Sequence, residues 1–364
     1  MKKIANTFHS GRAIFSLLIL ICCILAGAVI KIAAKVLLPL TMAILLAFVM
    51  YPLIKIFEKK RIPRILSIFL IVIMIVTGFY FFGRVLYQTG SNVVSKYYSY
   101  EGRMTEIYKN IAPILGLPFD ETLSFRKNLW GQLGIRTWIQ QFAVSFSKIF
   151  FGFISSALLV ILFMVFILLE ASYLKIKLET AFKSNSEQIN KMGHDLMSQV
   201  TRYLTAKFFF SLANGVLFYI AFRLIGLDFA ISWSLLQFIM NFIPTLGSIV
   251  TGVAISLFAL IQFWPNPTPI ILVIAVILAV NIVCTLLDPK VIGEHVGISP
   301  FIILVFLGIW SWLWGFAGMV LAVPMTVVIR IICENIPILE PISIMIGSRK
   351  SVLAKKAEQE KAEE

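Results

Sequence analysis

Two long apolar segments in the second half of the chain are each interrupted by glycine and proline. The first, Leu227–Phe263, contains Asn-Phe-Ile-Pro-Thr-Leu-Gly at 241–247. The second, Pro300–Ile332, contains Gly-Phe-Ala-Gly at 315–318 and then Pro324. Each segment exceeds the roughly 20 apolar residues that cross a bilayer. Irregular backbone at membrane depth is tolerated only where protein or a water-filled cavity satisfies its polar groups. Such segments are typical of a solute path, and they favour a transporter.

Composition supports a membrane location. Of the 364 residues, 59% are hydrophobic and 14% are charged, whereas a soluble domain carries about 25% charged residues. The long apolar runs predict helices rather than a barrel, whose strands alternate over about 10 residues. The net charge of +14 is explained by lysine and arginine in cytoplasmic loops and near anionic head groups. We therefore expect the lipid bilayer as a partner and no nucleic acid.

The apolar runs predict an all-α, polytopic membrane protein with about eight membrane segments. The two broken segments are either kinked helices or re-entrant hairpins. Four consecutive parts are expected: a three-span unit at 1–86, an extracytoplasmic amphipathic segment at 87–148, a transport core at 149–348 and a charged cytoplasmic tail at 349–364. The basic run Lys59-Lys60-Arg61 predicts a cytoplasmic loop after the second span. Both chain termini are then cytoplasmic.

Continuous spans and amphipathic helices accompany the broken segments. Apolar residues recur at helical spacing within 87–148 and again from Ile189 to Tyr203, which predicts helices at the membrane surface or against the span bundle. We expect an uncleaved N-terminal span, because a second apolar run begins almost directly after the first. The predicted continuous spans are Ala13–Ile30, Ile32–Phe57, Ile65–Leu86, Ile149–Leu169, Phe208–Ile225 and Ile270–Leu287.

Polar residues within the last segments indicate what the path carries. They are mostly uncharged, and they serve either helix–helix hydrogen bonding or a cavity for a neutral, hydroxyl-rich solute. Asn241 and Thr245, on either side of the break at Pro244, are the foremost candidates for the second role. The predicted substrate path comprises Asn214, Gln237, Asn241, Pro244, Thr245, Gly247, Asn281, Gly315, Gly318 and Pro324.

Acidic residues bear on the energy source. A cation-coupled carrier usually holds a carboxylate well inside the membrane, whereas the acids here lie at or near the ends of predicted spans. Asp228 and Asp288 are the candidates for ion coupling. Phosphate-loop and hydrolase motifs are missing from the sequence, and its histidines and cysteines lack metal-ligand spacing. We expect no enzyme activity, no cofactor and no metal site.

Two pairs of glycines have the same separation. Gly226 precedes the first broken segment and Gly247 interrupts it, and Gly297 and Gly318 do the same for the second. Repeats in transporters commonly frame the substrate site. The equal spacing therefore suggests an internal repeat.

The motifs at these breaks resemble those of the bacterial autoinducer-2 exporter family of inner-membrane transporters. Order and spacing agree from about Leu17 to Met345, and the likeness is most specific in the second half of the chain. It is carried by Gly226-Leu-Asp, the 241–247 motif, Asp-Pro-Lys-Val-Ile-Gly-Glu-His-Val-Gly-Ile-Ser-Pro at 288–300, Gly315-Phe-Ala-Gly and Ala322-Val-Pro.

The resemblance implies a multi-pass protein of the bacterial inner membrane. The family takes its name from export of a furanone quorum-sensing signal, and similar members resemble sodium/proton antiporters. We therefore expect a permease or exporter of a small polar solute such as autoinducer-2, with a sodium(lithium)/proton antiporter as the alternative. A homo-oligomer is also expected.

Overall fold

The computed structural model describes residues 24–115, 156–171, 186–291 and 297–348, with a few isolated residues outside these ranges. The long elements in this part of the chain are α-helices, which confirms the predicted all-α membrane class. Among the described residues, six helices are long and apolar enough to cross a membrane. They are Ala34–Lys59, Arg64–Thr89, Asn190–Ile225, Leu246–Phe263, Pro267–Leu287 and Pro300–Asn335.

The helices are numbered here along the described chain. A 3-10 turn at Pro337–Leu339 precedes the last of them. The helices are α1 Ala34–Lys59, α2 Arg64–Leu115, α3 Ser156–Ala171, α4 Ser186–Ile225, α5 Ala230–Met240, α6 Leu246–Phe263, α7 Pro267–Val291, α8 Pro300–Asn335 and α9 Glu340–Ile346.

Two helices are longer than the predicted spans. The predicted span Ile65–Leu86 continues into the amphipathic segment that follows it, and together they form the 52-residue α2. The predicted surface helix from Ile189 to Tyr203 is continuous with the predicted span Phe208–Ile225, and together they form the 40-residue α4. Most of the first span before residue 24, the segment 116–155 and most of the tail 349–364 lie outside the described residues. The division into four consecutive parts stays a prediction.

The chain forms two compact units, and each combines distant parts of the sequence. The α5–α6 unit comprises Pro52–Leu158 and Thr201–Val296. The α8 unit comprises Met1–Tyr51, Leu159–Val200 and Gly297–Glu364.

The exposed faces of the helices suit a bilayer. The buried face of α6 repeats at helical spacing and includes the polar residues Thr251 and Gln262. Its exposed side chains are large and aliphatic, such as Val253 and Leu257. Polar groups face protein and apolar groups face outward, which is the reverse of an amphipathic helix in water.

An apolar core holds α4, α5, α6 and α7 together. Phe218 and Phe222 of α4 are at most 1% exposed. Gly215 permits close approach of α4 and α5, since a Cβ there would lie 3.2 Å from the Cβ of Phe238. Small residues and close packing are what hold helices together in lipid. The core also contains Leu227, Ala230, Ile255, Ala259, Val273 and Ile277.

Both broken segments reverse the direction of the chain. A straight helix advances about 10 Å over seven residues, yet a Cβ on Gly247 would lie 2.6 Å from the carbonyl carbon of Met240. In α8, Gly315 has φ 60° and ψ −137°, outside the helical region. A Cβ on Gly318 would lie 2.7 Å from the carbonyl carbon of Trp310. Each broken segment is therefore a helical hairpin rather than a kinked span.

The equally spaced glycines share a backbone role. Gly226 has φ 81° and Gly297 has φ 52°, a region that glycine adopts without steric cost. Gly247 and Gly318 both lie at a hairpin reversal against a backbone carbonyl. Since each pair combines a left-handed glycine with a close-packed one, the structure supports the repeat as a local motif.

Candidate solute path in the α5–α6 hairpin

Gln262 joins the two ends of the α5–α6 hairpin. Its Nε2 donates to the carbonyl of Gly226 at 2.8 Å, and its Oε1 accepts from the backbone N–H of Asp228 at 2.7 Å. Gln262 lies at the end of α6, and the other two residues precede α5. The hairpin therefore begins and ends at the same level, which is the geometry of a re-entrant segment. We call this end of the hairpin its mouth.

The tip of the hairpin is a polar turn held against α4. Asn241 is 6% exposed, and its Nδ2 donates to the Ser211 hydroxyl at 2.9 Å. Ser211 lies about 21 Å along α4 from the terminal Ile225, at 1.5 Å per residue. Thr245 is exposed, and its hydroxyl donates to the carbonyl of Pro244 at 2.7 Å. Of the two foremost candidates, Asn241 faces protein and Thr245 faces outward.

Asn214 and Gln237 carry buried amide atoms without hydrogen-bond partners. Asn214 is 2% exposed, and neither its Nδ2 nor its Oδ1 has a partner among the described residues. Gln237 is 1% exposed; its Oε1 accepts from the Thr251 hydroxyl, and its Nε2 is unpaired. Burying an unpaired amide costs about 1–3 kcal/mol in protein mutational data. Such atoms indicate a place where a solute or water binds.

The orientation of the Gln237 amide does not alter this conclusion. The Thr251 hydroxyl also donates to the carbonyl of Gly247 at 2.8 Å, and a hydroxyl has one hydrogen to give. If the amide of Gln237 is reversed, its nitrogen donates to Thr251 and its oxygen is left unpaired. One polar end of Gln237 is unpaired in either orientation.

The two amides lie at the same level of neighbouring helices. Asn214 follows Ser211 by about one turn of α4, and Gln237 precedes Asn241 by about one turn of α5. The hydrogen bond between Ser211 and Asn241 holds the adjacent turns together. Since a short turn joins α4 to α5 and reverses the chain, Asn214 and Gln237 both lie one turn closer to the mouth. The structure thus brings three predicted path residues together.

Two more unpaired atoms lie in the same unit. Trp233, one turn before Gln237, has a buried Nε1 with no partner among the residues that the structure describes, and the centroid of its ring lies 5.3 Å from that of Phe258. The Oδ1 of Asn281 on α7 is also unpaired. Asn281 lies one turn beyond Ile277, which contacts α6 near Gly252. Asn281 therefore belongs to the helix that packs on the second arm of the hairpin.

The other predicted path residues belong to the α8 hairpin. Gly315 and Gly318 form its reversal, and Pro324 is buried in its second arm. Trp310, beside the reversal, is 7% exposed and has an unpaired Nε1. A common path through both hairpins stays a prediction.

Side chains from α2 cover the mouth of the α5–α6 hairpin. Lys96 pairs with Asp228 Oδ1 at 2.5 Å, and the Tyr100 hydroxyl donates to Oδ2 at 2.6 Å. Arg103 donates to the carbonyl of Gln262. We call these residues the mouth cluster. The adjoining cavity of about 290 Å³ is lined by Lys96, Ser99, Tyr100, Arg103, Asp228, Gln262 and Phe263.

The mouth cluster keeps Asp228 ionised. Burial alone would raise the pKa of its carboxyl, but hydrogen bonds from Lys96 and Tyr100 and the charges of Lys96 and Arg103 hold the pKa below the usual 3.8. Burial and the hydrogen bond to Asp228 raise the pKa of the Tyr100 phenol. A proton carrier works best with a pKa near the operating pH, so Asp228 is poorly suited to that role. The side chain of Asp288 lies outside the described residues.

Sequence reasoning overlooked several of these residues. Ser211 had a usable signal, since it lies one helical turn from Asn214. Lys96, Tyr100 and Arg103 also recur at helical spacing and share one face of α2. Their sequence does not reveal what that face contacts, because Asp228 and Gln262 are more than a hundred residues away.

Sequence comparison relates the chain to membrane transport proteins. Residues 14–338 match the family described as AI-2E family transporter. A "Putative transport protein" of Borreliella burgdorferi is 30% identical over 331 residues, which cover 90% of this chain and 89% of the relative. The AI-2 transport protein TqsA of Escherichia coli K12 is 25% identical over 328 residues, or 90% and 93% of the two chains. A sodium-lithium/proton antiporter of Halobacillus andaensis is 31% identical over 184 residues, which cover 50% of this chain and 51% of the relative.

Proposed function

The chain belongs to the AI-2E transporter family and is a membrane permease, and from this premise we propose that it exports a small, uncharged, hydroxyl-bearing solute of the autoinducer-2 type. The observation that carries the proposal is Asn214, a buried amide beside a re-entrant hairpin whose two polar atoms have no partner in the described part of the chain. The name of TqsA as an AI-2 transport protein supports this class of solute.

The chemistry of the amides fits a hydroxyl group. Asn214 offers two N–H donors and a carbonyl acceptor, and Gln237 offers at least one further polar end. A hydroxyl both donates and accepts, so vicinal hydroxyls can pair with such atoms without any charge being buried. Pairing an unsatisfied buried group is favourable by about 1–3 kcal/mol. That is the driving force we assign to solute binding at membrane depth.

We assign the protein to the bacterial inner membrane with both termini cytoplasmic. The basic loop after α1 supports this orientation. In this orientation the end of the span Arg64–Thr89 and the turn after α4 are both extracytoplasmic. The ion pair between Lys96, which follows that span, and Asp228, which lies in that turn, agrees with this placement because it requires both residues to be on the same side. The hairpin mouth then opens outward. Association of several copies is part of the same proposal.

Efflux from liposomes tests the function. Purified protein is reconstituted with autoinducer-2 inside, and release is compared for the wild type, Asn214→Leu and Thr285→Val. Thr285 is exposed on α7 and bonds to its own helix, so its variant is a control that removes a polar group outside the proposed path. We expect rapid release for the wild type and the control and slow release for Asn214→Leu. The proposal would be refuted if liposomes with the wild-type protein released autoinducer-2 no faster than loaded liposomes without protein.

A second candidate function is sodium(lithium)/proton antiport, favoured by the likeness to the Halobacillus antiporter over half of each chain. A pH-sensitive dye in the same liposomes reports it. We expect no dye response to sodium or lithium, because the pairing of Asp228 with Lys96 disfavours it as a proton carrier. A response that is lost in Asp228→Asn or Asp288→Asn would establish antiport instead.

A further inference from the structure

The buried amides are closed off in this structure. Asn214 is 2% exposed and Gln237 is 1% exposed, so no solute reaches them without a change in conformation. The α5–α6 hairpin contacts several helices, and one of these interfaces has to open. The contacts within the unit distinguish among them.

The interfaces of the hairpin with α4 and α7 are tightly packed, and apart from the buried amides and the hydrogen bond between Asn241 and Ser211 they are apolar. Phe218 and Phe222 of α4 are completely buried, and Val273 of α7 joins the same core. Gly252 of α6 approaches α7 so closely that a Cβ would lie 3.2 Å from the Ile277 side chain. Separating these surfaces would open a gap in a close-packed interior, which is costly. We therefore treat α4, the hairpin and α7 as one body.

Apart from an edge-to-face contact between the rings of Tyr100 and Phe258, the described side-chain contacts between α2 and the hairpin are polar and partly exposed. The side chains of Lys96 and Asp228 are 48% and 27% exposed, and exposed ion pairs contribute little to stability. Closer to the membrane, the Thr89 hydroxyl is hydrogen-bonded to that of Ser232 on α5. Such contacts exchange readily with water, unlike an apolar core. The interface with α2 is the one that opens at the lowest cost.

The geometry points to a gate: the part of α2 from Thr89 onward closes the mouth of the hairpin and must move away for a solute to pass between the mouth and the buried amides. This inference rests on the proposed function, because it presumes that a solute uses the amides. The 290 Å³ cavity beside the mouth cluster is the space from which the solute enters or leaves. Gln262 keeps the two ends of the hairpin together while α2 moves.

A reversible cross-link tests the gate. Thr89 and Ser232 have short side chains whose hydroxyls are in contact, so Thr89→Cys with Ser232→Cys places two thiols where a disulfide can form. The four native cysteines are replaced beforehand, and that background must export autoinducer-2 like the wild type. Each single cysteine variant is a control. The cross-link is verified by mass spectrometry.

We expect oxidation of the double variant to reduce efflux at least about tenfold and a reductant to restore it. The single variants should not respond to either reagent. A verified cross-link that leaves efflux unchanged would overturn the gate and leave the proposed function intact. This outcome separates a gate from a static contact, since locking a contact that never opens has no effect on flux.

A distance measurement tests whether α2 moves, without the use of a solute. Spin labels are placed at Ser99 on α2 and at Thr268 at the start of α7, both of which are exposed. We expect two distances in the reconstituted protein, with the longer one more populated in Lys96→Gln. A single distance that Lys96→Gln leaves unchanged would overturn the gate. If autoinducer-2 is not exported but two distances are seen, the proposed solute is wrong and the gate stands.

Discussion

Replacing Asn214 by leucine separates a binding role from a structural one. Asn214 is buried with neither amide atom paired among the described residues, and leucine has the same branched shape without polar atoms but a larger volume. The substitution removes an unsatisfied amide that costs about 1–3 kcal/mol, and fitting the larger side chain into a packed interior costs about 1–3 kcal/mol. These two terms oppose each other, so we expect the free energy of unfolding to change little.

Transport, in contrast to stability, should fall strongly. If a hydroxyl of the solute pairs with Asn214, the leucine variant loses about 1–3 kcal/mol of interaction. At 1.4 kcal/mol for each factor of ten, efflux of autoinducer-2 should fall roughly 5-fold to 150-fold. The measurements are thermal unfolding in one detergent and efflux from liposomes with equal protein content. A stable protein that transports poorly is the combination expected of a binding residue.

Asn241→Leu is the matched comparison. Asn241 is also a buried amide, at the end of α5, but it donates to Ser211 of α4 at 2.9 Å. Its replacement leaves the Ser211 hydroxyl without that partner, so we expect a loss of about 1 kcal/mol or more in stability. The reasoning about Asn214 is refuted if Asn214→Leu destabilises the protein as Asn241→Leu does. It is also refuted if Asn214→Leu leaves efflux unchanged.

Three further outcomes follow from the packing and the charges. Gly247→Ala should lower the unfolding temperature strongly, because its Cβ would collide with the carbonyl of Met240. Gly308→Ala, with open space around its Cβ, should be neutral or stabilising by about 0.5–1 kcal/mol; equal effects of the two would contradict the hairpin packing. The folded pKa of Asp228 lies below the usual 3.8, so the folded state binds fewer protons at acid pH than the unfolded state. Stabilisation by the pair with Lys96 is complete above pH 3.8 and is lost as the pH falls further, and Asp228→Asn should abolish this acid-sensitive part of the thermal stability.

The position of the breaks was predictable because the glycines and prolines interrupt otherwise apolar runs. The same holds for Asn214, Gln237 and Asn241, since amides are conspicuous in apolar helices. Which polar atoms remain unpaired was not predictable, because pairing depends on side chains that other segments supply. Asn241 gains Ser211 as a partner, and Asn214, one turn away from Ser211, gains none.

The sequence by itself determined the class of protein, because apolar length and composition decide whether a helix is stable in a bilayer. It also located two segments that cannot be ordinary spans. The tertiary structure decided that both segments are hairpins, since Gly247 and Gly318 lie against the carbonyls of Met240 and Trp310, which a straight helix would hold more than about 10 Å away. It also decided that α2 covers the mouth beside Asp228. The physical reason is that periodicity reports the environment of each helix separately, whereas reversals, pairings and gates depend on contacts between residues far apart in the chain.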